Sequence, residues 1–465
     1  MIFTAPHYFK DRHCGYCKDS KIDHYALQSQ WNGSKDVAID EKESILIGTQ
    51  ILQMSCNEYD KLINQGFRRS GKFLYKPDLL KTCCRLYTIR TSSKYLNLSK
   101  HHRKIINKFI KLIAPNLKLP AKNTFDFRNL YEAQLESKNF KTIIEPSKFT
   151  KEKFELYKKY QIRVHNDDPN DISENSFRRF LCDTPFPQEE VKGNTQQFKD
   201  LKIENWNKEN KKRIGPTHEL YYLDDKLIAI SIMDFLPSGI SSIYFIWDPD
   251  YAYLSLGTLS GLKEIQMCDK LGYDHYYLGY YIQDCEKMKY KKQFGGEILD
   301  LANEIYFPFE KVDKFLNNRL FVIGEKGQNI IQELEVENKG EPIDYEDSDF
   351  KDKELINIAE DIYGNDEISQ DAEECKQILK DKYKIKVSTL TEVPNIIPGS
   401  IPIWQIIEWF ENENLDLDFE VELFINGQIV DFKLRDLIPE GRGLIIDCIR
   451  IFGLELIQDS VIMVS

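Results

Sequence analysis

Between Glu219 and Tyr281 the chain spells out strand, turn, strand, turn, strand, helix, strand, an order that leaves few folds open. Glu219–Leu223 and Lys226–Phe235 are rich in β-branched and aromatic residues and are separated by Asp224-Asp225, a pair suited to a tight hairpin. Leu236-Pro-Ser-Gly239 turns the chain into Ile240–Trp247. Leu256–Lys270 has helical composition, entered through Gly257-Thr258, and Tyr276–Tyr281 is a fourth strand. Antiparallel hairpins followed by a helix and another strand describe an α+β layer.

The remaining segments are expected to flank that layer. Ser44–Gln53 has strand composition, Asn57–Gln65 reads as a short helix closed by Gly66, Phe67–Tyr75 as a basic strand or hairpin, and Arg85–Arg90 as a further strand. From Ser99 to Leu112, Ile105, Ile106, Phe109, Ile110 and Leu112 recur at helical spacing among basic residues. Lys151–Val164 repeats the pattern. Residues 166–175 form a turn-rich loop, and Lys192–Arg213 an exposed polar insertion. Further on come a helix near Asp352–Tyr363, a helix over Ile403–Phe410, a hairpin about Asn426-Gly427 and a helix over Leu444–Phe452. The expected divisions are a Cys-rich basic region over 1–110, a connecting segment over 111–150, the strand–helix layer within 151–330, an acidic connector over 331–382 and an α/β extension over 383–465.

Charge is spread unevenly. The whole chain stands at -12, yet residues 1–110 hold 19 Lys and Arg against 10 Asp and Glu, whereas residues 331–465 hold 12 against 32. A basic front on an acidic protein points to a polyanionic partner, with a solvated basic face as the alternative. Apolar residues at 42% and aromatics at 12% exclude a disordered chain. No run approaches the roughly 18 apolar residues of a membrane helix, and Met1–Lys10 lacks the pattern of a secretory signal. The expected compartment is the cytoplasm or the nucleus, with no membrane partner.

There cysteines stay mostly reduced. Six of the ten are scattered and read as small buried hydrophobes. Cys14-Gly-Tyr-Cys17 and Cys83-Cys84 stand apart. A CxxC turn lets two thiolates reach one ion, and four thiolates suit tetrahedral zinc or an iron–sulfur cluster. Adjacent cysteines in a strand point apart, so Cys83 and Cys84 need a local kink to share a centre. A redox-active disulfide or a purely structural role are the other readings. His13 and His24 are possible substitute ligands or plain surface residues.

Several blocks resemble the arginyl-tRNA–protein transferase family. They include His13-Cys-Gly-Tyr-Cys-Lys18, Gly66-Phe-Arg-Arg-Ser-Gly-Lys-Phe-Leu-Tyr-Lys-Pro77, Cys83-Cys-Arg-Leu-Tyr-Thr-Ile-Arg90, Tyr157-Lys-Lys-Tyr-Gln-Ile-Arg-Val-His165 and Gly215-Pro-Thr-His-Glu219. They continue through Asp234–Tyr251, Ser255-Leu-Gly257 and Tyr277-Leu-Gly-Tyr-Tyr281. The tail, with Cys448-Ile-Arg-Ile-Phe-Gly453, is similar to fungal members; Gly295-Gly296 departs from the Pro-Ser of many members. The resemblance implies a GNAT-like acyltransferase fold in two related halves, the catalytic part lying in 151–330. It also implies an N-terminal region holding an iron–sulfur cluster or zinc on Cys14, Cys17, Cys83 and Cys84. The implied activity moves arginine from arginyl-tRNA to the α-amine of proteins beginning with Asp, Glu or oxidised Cys, marking them for ubiquitin-dependent degradation.

That reaction is aminolysis of an activated ester. It needs positioning, a neutral amine and oxyanion stabilisation rather than a covalent intermediate. Asp234, at a strand end, is a candidate to hold the amine or the donor guanidinium, or else a turn residue. His218 is a candidate to donate to the acid or position the amine. Short acids call for a guanidinium, and Arg68 and Arg69 are the candidates, one for the acid and one for the tRNA. Lys100, Arg103, Lys287, Lys289 and Lys292 are candidates for tRNA phosphates. Tyr280 and Tyr281 are candidates to stack on the single-stranded acceptor end, core packing being the alternative. An acetyl-CoA-dependent transferase is disfavoured, because Ser255-Leu-Gly-Thr258 lacks the pyrophosphate loop of that class; neither CoA nor a nucleotide is expected. A metal-containing RNA-binding or adaptor module without catalysis is the competing reading.

Overall fold

A computed structural model describes residues 1–11, 14–17, 44–118, 128–206, 212–316, 319–326 and 340–464; His13 and His24 lie outside them. The hairpin signals set the larger sheet. Asp224 and Asp225 both take left-handed φ, 48° and 59°, between β8 (Gly215–Leu223) and β9 (Lys226–Phe235), as a tight hairpin of this hand requires. With β7 (Phe140–Pro146) and β10 (Gly239–Trp247) they form an antiparallel meander. β10 then pairs in parallel with β11 (His275–Tyr281), through the helix Leu256–Leu271. Three neighbours follow on the far side. β6 (Tyr87–Thr91) lies against β11, then β12 (Glu297–Asp300) and β13 (Ile305–Pro308), completing with a short edge strand a nine-stranded sheet. The segment 1–110 therefore supplies a strand to this sheet as well as building its own.

That second sheet has eight strands and joins the chain ends. β1 (Ile2–Thr4) pairs antiparallel with β3 (Ser44–Gln53), which also pairs with β2 (His7–Asp11) and with β5 (Phe73–Pro77), itself paired to β4 (Arg68–Ser70). On its other edge β1 runs parallel to Val461–Met463, and the hairpin Glu420–Ile425/Gln428–Lys433 extends the sheet. The hairpin about Asn426-Gly427 is where its turn residues predict it.

Helices cover both faces of the nine-stranded sheet. α1 (Cys56–Asn64) carries an N-terminal capping box in which the Ser55 hydroxyl accepts from the Glu58 N–H and the Glu58 carboxylate from the Ser55 N–H. α2 (Lys100–Ile113) is capped by Ser99 and buries Ile105, Ile106, Phe109 and Ile110. It shares a core with Leu259, Leu262 and Ile265 of α4 (Leu256–Leu271), Ile228 and Met233. On the opposite face α3 (Lys151–Tyr160) packs Phe154 and Tyr157 on Leu220, Ile230 and Ile232. β9 is thus buried on both sides, and its continuous apolar run is the sequence mark of that burial. Each such fully buried side chain contributes about 1.5–3 kcal/mol.

Two segments depart in part from the sequence reading. Lys192–Arg213, where it is described, is exposed along much of its length, as expected, but is anchored at buried points. Trp206 is buried and donates from Nε1 to the Leu201 carbonyl at 2.8 Å, and the buried Arg213 guanidinium donates to the Val191 and Pro216 carbonyls. Of the helix expected over Asp352–Tyr363 only the last five residues form, and Leu355–Asn357 is a strand. Ala359–Tyr363 is followed by a longer helix, Asp366–Tyr383, which buries Ile368, Ala372 and Leu379 in the core of the eight-stranded layer. Its acidic face hides the periodicity in composition alone.

Candidate active site

β10 and β11 pair only over Gly239↔His275, Ile240↔Tyr276 and Ser241↔Tyr277, and then part. In the gap lies a cavity of about 640 Å³, within the range of small-ligand sites. Its walls come from the diverging strands (Ser242, Tyr244), from the start of α4 (Ser255–Thr258) and from β4 (Arg68, Arg69). The sheet's two strands supply backbone that is held apart, and the N-terminal sheet supplies cations.

β4 places its arginines by strand geometry. The Arg69 guanidinium donates from Nε and NH2 to the two carboxylate oxygens of Asp234, both at 2.6 Å, and from NH1 to the Gly71 carbonyl at 3.1 Å. Arg68 donates instead to carbonyls: NH1 to Ile63 and Phe67, NH2 to Gly279 at 3.1 Å. Gly279 sits at a left-handed φ of 75° beside an irregularity in the β11 register. That conformation, natural only to glycine, turns its carbonyl to the guanidinium. Arg68 also lies over the Tyr280 ring at 4.9 Å, while its Nε is buried without a hydrogen-bond partner. No carboxylate pairs with Arg68 among the described residues, so its charge faces the cavity uncompensated.

The other candidates sort by position. Asp234 is fully buried as the counter-ion of Arg69. His218 is fully buried in β8 and outside the cavity wall. Lys153 Nζ donates to its Nδ1 at 2.9 Å, and the Leu181 carbonyl lies 3.0 Å from its Nε2. Burial, reinforced by Lys153, lowers its pKa to about 3. Tyr280 lines the cavity and donates its hydroxyl to the Gly66 carbonyl at 2.7 Å; Tyr281 is core, packed on Tyr87 and Phe309. Lys100 and Arg103 are exposed on α2. Lys287 stands at the cavity wall with its Nζ 3.1 Å from His165 Nδ1, whereas Lys289 and Lys292 lie outside that wall, paired with Glu286 and Asp313.

The four N-terminal-region cysteines converge. Their sulfurs all lie within 4.8 Å of one another, with Cys14–Cys84 at 3.8 Å and Cys17–Cys83 at 3.6 Å. Those separations match the ~3.8 Å edge of a tetrahedron with 2.3 Å metal–sulfur arms. Cys83-Cys84 lies in a bend between β5 and β6, the kink that adjacent ligands require. Bonding to Cys83 and Cys84 pulls Cys14 far below the ordinary thiol range, while the Cys14 contact pushes Cys83 up to about 12. The quartet can hold a soft metal ion. It also touches the cavity, because Tyr16, inside the CxxC turn, lines the wall beside Tyr75.

Among the cavity residues that were not singled out from the sequence are Tyr16 and Glu264. Tyr16 was visible only as a filler of the CxxC spacing. Glu264, on α4, is buried and lines the cavity; a lone acid among Leu262, Ile265 and Met267 was its one signal.

Comparison with known proteins agrees with the geometry. Residues 12–104 match the family described as arginine-tRNA-protein transferase, N terminus, and residues 152–300 the corresponding C terminus. Arginyl-tRNA–protein transferase 1 of Saccharomyces cerevisiae is 39% identical over 495 residues, covering 97% of this chain and 96% of that protein. Arginyl-tRNA–protein transferase 2 of Arabidopsis thaliana is 40% identical over 185 residues, 38% of this chain and 29% of its own. An aspartate/glutamate leucyltransferase of Campylobacter jejuni is 28% identical over 249 residues, 53% of this chain and 82% of its own. With its N- and C-terminal blocks both matched and one relative aligned end to end, the chain belongs to the arginyl-tRNA–protein transferase family.

Proposed function

We propose that the chain transfers arginine from arginyl-tRNA to the α-amine of acceptor proteins beginning with Asp, Glu or oxidised Cys, creating a degradation signal for the ubiquitin N-degron pathway in the cytoplasm or nucleus. The observation that carries this reading is Arg68, a buried guanidinium in the wall of the split-sheet cavity that has no carboxylate partner among the described residues. A short acid on the acceptor supplies that counter-ion, and a neutral side chain does not. Arg69, its charge matched by Asp234, adds a guanidinium of fixed orientation beside it.

The chemistry follows from aminolysis. An α-amine has a pKa near 7.7–8.0, so a fraction of it is neutral at pH 7. That amine attacks the ester carbonyl, forming the C–N bond; the C–O bond to the tRNA ribose breaks, and the amine proton passes to the leaving oxygen through water. The cavity walls hold the two substrates in line, which accounts for a large share of such a rate. Lys100 and Arg103 on α2, with Lys287 at the mouth, form the track for tRNA phosphates. Lys108 of α2 donates to the Tyr253 carbonyl, one residue from Ala252 in the cavity wall, so the basic helix adjoins the mouth.

We read the layer from β7 to β11 with α4 as GNAT-like, the parting of β10 and β11 being its support, and the eight-stranded sheet as the related half. Cys14, Cys17, Cys83 and Cys84 would hold zinc or an iron–sulfur cluster; the sulfur separations favour a single tetrahedral ion. Bound there, a metal would cross-link the Cys14–Cys17 turn to the bend at Cys83-Cys84 and so fix Tyr16 against the cavity. No helix among the described residues is long and apolar enough to cross a membrane.

The test is a transfer assay with radiolabelled arginyl-tRNA and peptides beginning with Asp or Ala. Label on the Asp peptide alone supports both the transferase and its acid-reading wall. No label on either, with tRNA bound and the cysteines metal-loaded, moves the chain to the adaptor reading.

A further inference from the structure

The cavity has an anionic side as well as a cationic one. Among its described lining residues the cations are Arg68, Arg69, Lys287 and Lys291, with His165 neighbouring Lys287, and the single carboxylate is Glu264. Glu264 is 1% exposed on α4. Its Oε1 accepts from the Ser231 hydroxyl at 2.6 Å and from Ser260, one turn earlier; its Oε2 accepts from the Tyr276 hydroxyl. All three donors are neutral. The adjacent Lys263 turns away and pairs with buried Glu219. Among the described residues no cation lies within ion-pair distance of Glu264.

A buried carboxylate without a cation is costly unless the cation arrives with a ligand. Hydroxyl donors orient such a carboxylate and leave its charge intact. A carboxylate has about four acceptor positions, and the three hydroxyls leave one, on Oε2. Burial pushes the Glu264 carboxyl upward, against the pull of the three hydroxyls; a bound guanidinium would draw it down again. Of the two substrates, the donor brings a guanidinium, and the acceptor's side-chain acid would be repelled.

We propose that Glu264 is the donor-specificity residue: it receives the guanidinium of the arginyl group, while Ser231, Ser260 and Tyr276 hold its carboxylate in place. The cavity then sorts its substrates by charge, the acceptor's acid to Arg68 and the donor's base to Glu264. This rests on the transferase reading above.

The experiment uses the full chain and tRNA charged with arginine or with citrulline, its neutral isostere. Transfer to an Asp-initiated peptide is followed as kcat/KM for each donor. A charge-assisted hydrogen bond of the usual strength predicts that wild type prefers arginine roughly 10- to 100-fold. Glu264→Gln brings the ratio towards one, and Glu264→Asp keeps a preference for arginine at a lower rate. Both donors are read on one preparation, so a smaller folded fraction cancels from the ratio. Should Glu264→Gln fail to fold, Ser231→Ala and Tyr276→Phe give the same reading through a loosened carboxylate, with a smaller drop in the ratio. A wild-type ratio in Glu264→Gln, or in both supporting variants, overturns the proposal while leaving the transferase intact. A wild-type protein that transfers from neither donor overturns the functional reading and this inference with it.

Discussion

Asp234→Asn is the perturbation that most directly probes how the cationic wall is built. The substitution keeps side-chain shape and removes one charge from a pair whose side chains are 6% and 0% exposed. Two unit charges 4 Å apart interact by about 4 kcal/mol at an effective dielectric of 20, and removing one partner of a buried pair costs about 3–5 kcal/mol. Arg69 keeps its bond to the Gly71 carbonyl and its place over the Phe186 ring at 5.0 Å, which favours the lower end, about 3 kcal/mol. Urea denaturation of wild type, Asp234→Asn, Arg69→Met and the double variant closes a thermodynamic cycle. The expected result is a large loss for each single variant and a double variant well above their sum. A loss below about 1 kcal/mol, or strict additivity, would refute a buried ion pair as the anchor of this wall.

Replacing Cys83 and Cys84 together by Ser should abolish stoichiometric metal on elemental analysis; a double variant retaining both metal and activity contradicts the quartet as ligands. His218 is neutral in the fold, with a pKa lowered from 6.5 to about 3. The unfolded chain therefore binds the extra proton between those values, and stability falls as pH drops below 6.5. At pH 5.5 the loss is ~1.4 kcal/mol, and Glu- or Asp-titration aside, denaturation midpoints at pH 7 and 5.5 should lie closer together in His218→Gln than in wild type. Gly443→Ala sits inside the helix Pro439–Phe452, where alanine gains about 1 kcal/mol of propensity. Its Cβ would lie 1.8 Å from the Lys386 carbonyl oxygen, so the melt should fall rather than rise, and a stabilised variant refutes that packing.

What could be read from the sequence was local, and what could not was long-range. β9, β10, α4 and the Asn426-Gly427 hairpin follow from periodicity and turn residues, which act within a few positions. The cysteine quartet was legible because ligand spacing is itself a geometric statement. Arg68 and Arg69 were legible as candidate cations of a short basic strand, but not the partners that distinguish them: both line one cavity, and Arg69 alone is held by a carboxylate. That Asp234 neutralises only one of them joins residues 165 apart, and no local rule reports it. Glu264 was illegible for a related reason. A buried acid is informative through the partners it lacks, and missing partners are visible only in three dimensions. Trp206 shows the converse: a polar window, exposed along much of its length, is anchored by a buried aromatic that composition does not report.

The site divides its electrostatics between two regimes, and salt separates them. Lys100 and Arg103 are exposed, so the hold on phosphates proposed for them would work through counterion release and weaken with ionic strength, log affinity falling by roughly 0.7–0.9 per phosphate contact for each tenfold rise in salt. Arg68 and Glu264 are buried, where mobile ions screen little. Raising salt should therefore increase the KM for arginyl-tRNA steeply while the preference for Asp over Ala peptides stays nearly constant. Lys100→Ala and Arg103→Ala should each flatten the salt dependence by about one contact and leave that preference alone. A preference that collapses in parallel with tRNA affinity would mean that the acid is read at the exposed surface, and that the uncompensated guanidinium in the cavity wall is not what selects the acceptor.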